Sequence, residues 1–168
     1  MSEDPVSRAP SRRPAAIGAL IAVVVLILDQ ASKFWILYDV MQPPKVIEVT
    51  PFFNIVLAWN RGVSFGMFNN LGDFGPYLLT GLAVVIILVL AFWLWRANSR
   101  LSAVSLALII GGAVGNVIDR LQYGAVVDFL DFHGFGYHWP AFNVADSAIC
   151  VGATMLVLES LFKRSETS

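Results

Sequence analysis

The chain has 168 residues, 57% of them hydrophobic and 14% charged, and a mean hydropathy of +0.71. Soluble domains run at about 25% charged residues; a core of this size cannot hide so much apolar surface, which excludes a water-soluble globule. With 11 basic and 12 acidic residues there is no bulk attraction for nucleic acid, and the single cysteine, Cys150, excludes an internal disulfide framework and any CxxC metal site.

Taken in chain order, residues 1–14 are polar and basic and are expected to be disordered. Four segments then have the length and apolar character of membrane-spanning helices, about 15–38, 74–95, 101–120 and 141–162, since about 20 residues cross the hydrocarbon core. Arg8, Arg12 and Arg13 before the first span resemble the start of a signal peptide, but Leu28-Asp29-Gln30-Ala31 is the wrong chemistry for a cleavage site. Between the first two spans, residues 39–73 mix β-branched and aromatic residues with Pro51 and Asn60-Arg61-Gly62, a pattern of two or three short strands with turns. Residues 121–140 combine glycines, aromatics and aspartates, and residues 163–168 form a short polar tail. The expected fold is mainly α: one domain over 15–162, with four transmembrane helices, a small extracytoplasmic sheet and a second extracytoplasmic loop.

Orientation follows from the basic residues. Seven of the eleven (Arg8, Arg12, Arg13, Arg96, Arg100, Lys163 and Arg164) fall on one side of this topology, which places both termini in the cytoplasm and residues 39–73 and 121–140 outside. Trp35, Trp93, Trp95 and Trp139 near span ends read as interface anchors. Cys150, mid-span, reads as a small packing residue.

Polar groups within the spans need reasons, because burying them in lipid is costly. Asp29 and Lys33 are four apart on one helix face and can pair; Glu159 stands four before Lys163. In the third span the glycines of Gly111-Gly112-Ala113-Val114-Gly115 permit close helix packing. Gly112, Asn116 and Arg120 share a face that becomes polar toward the outer end and is expected to face a cleft, with Asp119 beside it. Asn143 and Asp146 open the fourth span, and Asp128 follows the apolar run Ala125-Val126-Val127. If Asp128 and Asp146 meet, they share a proton: the ionised member can activate water while the protonated one donates to a carbonyl, which is peptide hydrolysis without metal or covalent intermediate. The same aspartates, with Asp29 and Asp119, could instead serve a small ion or proton translocator.

Five blocks bear on that choice: Leu28-Asp29-Gln30-Ala31-Ser32-Lys33, Trp59-Asn60-Arg61-Gly62-Val63-Ser64-Phe65-Gly66, Gly111 to Arg120, Val126-Val127-Asp128-Phe129 and Pro140-Ala141-Phe142-Asn143-Val144-Ala145-Asp146-Ser147. In this order, over about residues 15–162, they resemble the bacterial lipoprotein signal peptidases (signal peptidase II). The resemblance implies an intramembrane aspartyl endopeptidase of the bacterial cytoplasmic membrane, with Asp128 and Asp146 as catalytic dyad near the outer face. It implies Asn60, Gly62, Asn116, Arg120 and Asn143 as site-lining or substrate-binding residues, and Asp29 and Lys33 as a structural polar pair. It also implies diacylglyceryl prolipoproteins as substrates, cut just before the lipidated cysteine, membrane lipid as surroundings, and globomycin as inhibitor; a monomer without cofactor or metal is expected. Arg61 departs from the family pattern, where a small or polar residue is expected, and bears on the substrate mouth.

Two rival sites are visible in the sequence. Gly62-Val63-Ser64-Phe65-Gly66 matches the serine-hydrolase elbow and Asp128 and His138 follow in order, yet the strand–turn–helix of an α/β sheet that this motif requires is not expected here. His133 and His138, with Asp131, have poor spacing for zinc ligands and read as interfacial histidines.

Overall fold

A computed structural model describes residues 13–62 and 75–165. Among these, four helices are long and apolar enough to cross a membrane. They are α1 (Arg13–Trp35), α2 (Gly75–Trp95), α3 (Arg100–Tyr123) and α4 (Val144–Ser165). A π-helical turn, Ile36–Val40, continues α1. The strands are β1 (Ile47–Thr50), β2 (Phe53–Asn60), β3 (Val126–Gly134) and β4 (Tyr137–His138). Residues 1–12, 63–74 and 166–168 lie outside the described set, and with them Ser64, most of its motif, most of the N-terminal segment and the last three residues of the tail, whose first three continue α4.

Helix α3 is the centre of the bundle and packs against α1, α2 and α4. Its glycines make this possible. A Cβ on Gly112 would collide with the Ala145 carbonyl oxygen of α4, and one on Gly115 with the Asp29 carboxylate of α1. Small residues at such crossings let backbones approach closely where lipid supplies no hydrophobic drive between helices. At the far end of the bundle from the sheet, Leu94, Ala103 and Leu106 form a buried apolar cluster, and Ser102 donates to Glu159 Oε2 at 2.7 Å across α3 and α4. The expected partner of Glu159, Lys163, has its side chain outside the described residues. Apolar side chains such as Leu78, Leu82, Val85 and Leu88 on α2 point outward, as a lipid-facing surface requires.

The strands form one antiparallel sheet in the order β1-β2-β3-β4. The first outer segment supplies β1 and β2, in line with the sequence pattern. The second, read only as a loop, supplies β3 and β4. Strand β3 pairs along β2 from Phe53↔Phe132 to Asn60↔Val126, a long-range pairing that local patterning does not carry. Its Phe129 packs with Ile36 and Met41 in a buried cluster that seats the sheet on the end of α1. Gly124 turns the chain from α3 into β3: at φ +69 it takes the left-handed conformation that closes a helix, and its N–H returns to the Arg120 carbonyl at 3.0 Å.

Candidate active site

Asn143 is the hinge of the site. It stands just before α4, and its Oδ1 accepts the Asp146 N–H at 2.9 Å while its own N–H donates to Asp146 Oδ2 at 3.3 Å. This is a reciprocal capping box, satisfying two backbone donors that a helix start otherwise leaves open. The Asn143 Nδ2 group is thereby aimed away from α4. It donates to Asp128 Oδ1 at 2.7 Å, to the Val127 carbonyl at 3.2 Å and to Asn116 Oδ1 at 3.3 Å. Asp128 on β3 and Asp146 on α4 are thus both bonded to one asparagine. Asn116 on α3 completes the ring, its Nδ2 donating to Asp146 Oδ1 at 2.8 Å.

Asp128 is 1% exposed. Burial pushes its carboxyl up to about 6, against the lowering effect of a hydrogen bond from Asn60; the charge of Asp146 adds to the rise, and Asn143 and Lys33 oppose it. Asp128 opens into a cavity of about 350 Å³ that Ala58, Trp59, Asn60, Arg61, Pro140 and Ala141 also line. Asn60 is fixed by the Gly62 N–H, which donates to its Oδ1 at 2.8 Å; Gly62 has φ +80, and a Cβ there would meet Leu79. The acceptor is used in this turn, so the Asn60 amide group is the end left to donate toward Asp128. Gly62 therefore acts by orienting Asn60. Arg61 is exposed beside the cavity.

On α3, Gly112, Asn116 and Arg120 share a face, as their spacing predicts, but Gly112 is covered by α4 and does not reach a cleft. A missing side chain at that position is what draws the α4 backbone in. The Arg120 guanidinium lies in the field of Asp146, Asp119 and Asp128; its Nη1 donates to the Asn116 carbonyl at 3.5 Å, and its buried Nε has no acceptor among the described residues.

Asp29 and Lys33 form the expected pair at 2.8 Å, with a third member that spacing did not place there: Lys33 Nζ also reaches Asp119 Oδ2 at 2.7 Å and donates to Asn116 Oδ1 at 3.1 Å. The three side chains are 0%, 3% and 1% exposed. Removing the single cation would leave two buried carboxylates uncompensated, so Lys33→Met is expected to destabilise the fold by about 3–5 kcal/mol, measured by thermal or denaturant unfolding in detergent. Gln30 Nε2 bridges Asp119 Oδ1 (3.0 Å) and Asp29 Oδ2 (3.1 Å), which joins both residues to the site; in sequence the only signal for this is the nearness of Asp119 to Asn116 and of Gln30 to Asp29.

The rival sites take other forms. His138 Nδ1 lies 2.9 Å from both oxygens of Asp131, and His133 and His138 stack across the β3–β4 pair with ring centroids 4.9 Å apart. Burial raises the Asp131 carboxyl, but hydrogen bonds from His138 and Asn54 outweigh it and hold it below its usual range. This is a cross-strand ladder. Asp29 and Asp119, two members of a supposed ion relay, are tied to Lys33 and to backbone N–H groups.

This four-helix bundle with its small sheet has solved counterparts. Two structures described as a bacterial membrane enzyme solved by the in meso method, at 2.3 Å and 1.9 Å, superpose with TM-scores of 0.78 and 0.75. The first is 31% identical, covering 91% of this chain and 92% of its own; the second is 33% identical, covering 87% and 93%. The chain is a multi-pass membrane protein. The family model described as Signal peptidase (SPase) II matches residues 21–162. The lipoprotein signal peptidase of Rhodopseudomonas palustris (strain TIE-1) is 49% identical over 153 residues, 88% of this chain and 93% of that protein. That of Methylobacterium sp. (strain 4-46) is 43% identical over 154 residues, 91% and 93%. The chain belongs to the signal peptidase II family and is a peptidase.

Proposed function

We propose that this peptidase removes the signal peptide from diacylglyceryl-modified prolipoproteins, cutting before the lipidated cysteine with Asp128 and Asp146 as catalytic dyad. The observation that carries the reading is the joining of these two carboxylates through Asn143, with Asp128 open to a cavity beside the sheet. Asp128, with its carboxyl pushed up to about 6, is the member assigned the shared proton. Asp146 takes a proton from water as the water oxygen attacks the scissile carbonyl carbon, and Asp128 gives its proton to the carbonyl oxygen. The resulting diol collapses: its hydroxyl proton returns to Asp128, the C–N bond breaks, and Asp146 delivers its proton to the departing cysteine amine. Atoms and charge balance, and the dyad ends as it began. Asn60, Asn116, Asn143 and Arg120 supply the donors around it, Arg120 being aimed at a substrate carbonyl or lipid ester, and Gly62 holds Asn60.

The reading includes the basic-residue orientation, with both termini cytoplasmic and the sheet outside, so that a lipid-anchored substrate arrives laterally in the outer leaflet. It also includes a monomer working without metal and blocked by globomycin. Pairing of Asp29 and Asp119 with Lys33 argues against the translocator, whose relay needs groups free to exchange protons.

The test is cleavage by the purified protein in lipid or detergent. A diacylglyceryl prolipoprotein should yield a product beginning at the lipidated cysteine, with chelator present, while the unmodified precursor stays intact. Cleavage elsewhere, or equal cleavage of both precursors, would contradict the reading. Because the mechanism needs one protonated and one ionised carboxylate, kcat/KM should fall on the alkaline side of a limb starting near pH 6. The limb in kcat should lie higher, since bound substrate removes more water from Asp128. A flat profile from pH 5 to 9 would be inconsistent with a shared proton.

A further inference from the structure

We propose that Asp29, Lys33 and Asp119 form a positioning frame that sets the separation of Asp128 and Asp146, by holding the backbone N–H of the residue just before each. Asp29 Oδ1 accepts the Ala145 N–H at 2.9 Å; Asp119 Oδ2 accepts the Val127 N–H at 3.1 Å. The other oxygen of Asp29 and the same oxygen of Asp119 meet on Lys33 Nζ, at 2.8 and 2.7 Å. One ammonium therefore links the main chain next to Asp146 to the main chain next to Asp128. This frame rests on the reading of those two residues as the dyad.

The parts are arranged so that neither link can slacken alone. Lys33 Nζ has three acceptors, Asp29, Asp119 and Asn116, which matches its three protons. Gln30 Nε2 ties the same two carboxylates again, at the Asp29 oxygen that Lys33 holds and at the other oxygen of Asp119, and also donates to the Gly115 carbonyl at 3.3 Å. Gly115 has no side chain where the Asp29 carboxylate passes α3. The Ala145 N–H belongs to the first turn of α4, where no helical carbonyl is available to it, so Asp29 fixes α4 by a donor that is otherwise open. Buried this deeply, the network is stiff, and a catalytic pair gains most from supports of this kind, because displacements of about 1 Å can cost about a hundredfold in rate.

A frame differs from a mere stabilising ion pair in what it controls. The interaction between two close carboxylates splits their apparent pKa values, so their separation sets the width of the pH–rate bell. The charged groups facing the dyad are Asp29 and Lys33 from α1, Asp119 and Arg120 from α3, and Arg61, which follows β2 and lines the same cavity as Asp128. Asp29→Glu and Asp119→Glu keep every one of these charges and lengthen one arm by a methylene. Each variant is compared with wild type, Asp128→Asn and Asp146→Asn in the lipoprotein cleavage assay, with rates expressed per folded molecule.

The expected result is a kcat lower by about tenfold or more, a KM within about twofold, and a bell whose width changes by about half a pH unit or more. An unchanged bell overturns the frame, whatever happens to expression or thermal stability. Should the Glu variants fail to accumulate, Gln30→Ala removes only the bridging amide and is held to the same criterion, with a smaller loss of about threefold in kcat. Failure of the dyad reading is distinguishable: it appears as retained cleavage in Asp128→Asn or Asp146→Asn, whereas failure of the frame leaves those variants inactive and the Glu variants with the wild-type bell.

Discussion

Asp128→Asn is expected to reduce cleavage by about a thousandfold or more and, in the same protein, to change how stability depends on pH. The amide can still accept the Asn143 Nδ2 hydrogen bond, although its NH2 group no longer accepts from Asn60, and it neither stores nor returns a proton. The stability effect has a definite sign. Unfolded, the carboxyl loses its proton near 3.8; folded, near 6. Between those values the native state holds a proton that the unfolded chain has lost, so wild-type stability falls as pH rises through about 4 to 6 and levels above. Asparagine has no such cost. The thermal midpoint of the variant relative to wild type should therefore move in the variant's favour across that window. Asp146→Asn should be equally inactive yet less stable at every pH: both its oxygens accept N–H groups, from Asn116 Nδ2 and the Asn143 backbone, and an amide would set N–H against N–H at one of them. Activity retained in either variant would remove that aspartate from the chemistry.

Asn143 combines two tasks that a pair of variants separates. Asn143→Ala loses the α4 cap, worth about 1 kcal/mol, and the donor to Asp128, Val127 and Asn116, worth about 1–3 kcal/mol more in a fully buried position. Cleavage should fall about a hundredfold or more, since the two carboxylates lose their common partner. Asn143→Ser restores an oxygen that can accept the Asp146 N–H but is too short to donate to Asp128. Its unfolding midpoint should recover much of the loss while its turnover stays low. Recovery of both together would mean that Asn143 serves the helix alone.

The helical part of this architecture is legible because lipid allows few solutions: long uncharged runs between Asp73 and Arg96, or between Arg100 and Asp119, must be helices. The first two strands are readable from β-branched and aromatic patterning, and β3 is not, because it is defined by pairing with β2 far back in the chain. The Asn143–Asp146 spacing already carries the capping box, one turn of local geometry. The meeting of Asp128 with that box depends on the path of the whole outer segment, which spacing does not contain. Glycines 112 and 115 read as packing positions, but Gly112 also reads as a cleft position that α4 covers, and what fills the space beside them, the Ala145 carbonyl and the Asp29 carboxylate, is tertiary information. Asp119 illustrates the limit best. In sequence it is one more polar residue near Asn116; in the fold it turns toward Lys33 and the Val127 N–H, because an uncompensated carboxylate could not stay buried there.

The most direct test of a dyad that activates water is a single turnover in water labelled with heavy oxygen, with enzyme in excess over diacylglyceryl prolipoprotein and chelator present. Direct attack by water predicts one labelled oxygen in the new carboxylate of the released signal peptide and none in the enzyme. Unlabelled peptide product, with the label instead in the carboxyl of Asp128 or Asp146, would reveal a covalent anhydride and contradict the mechanism.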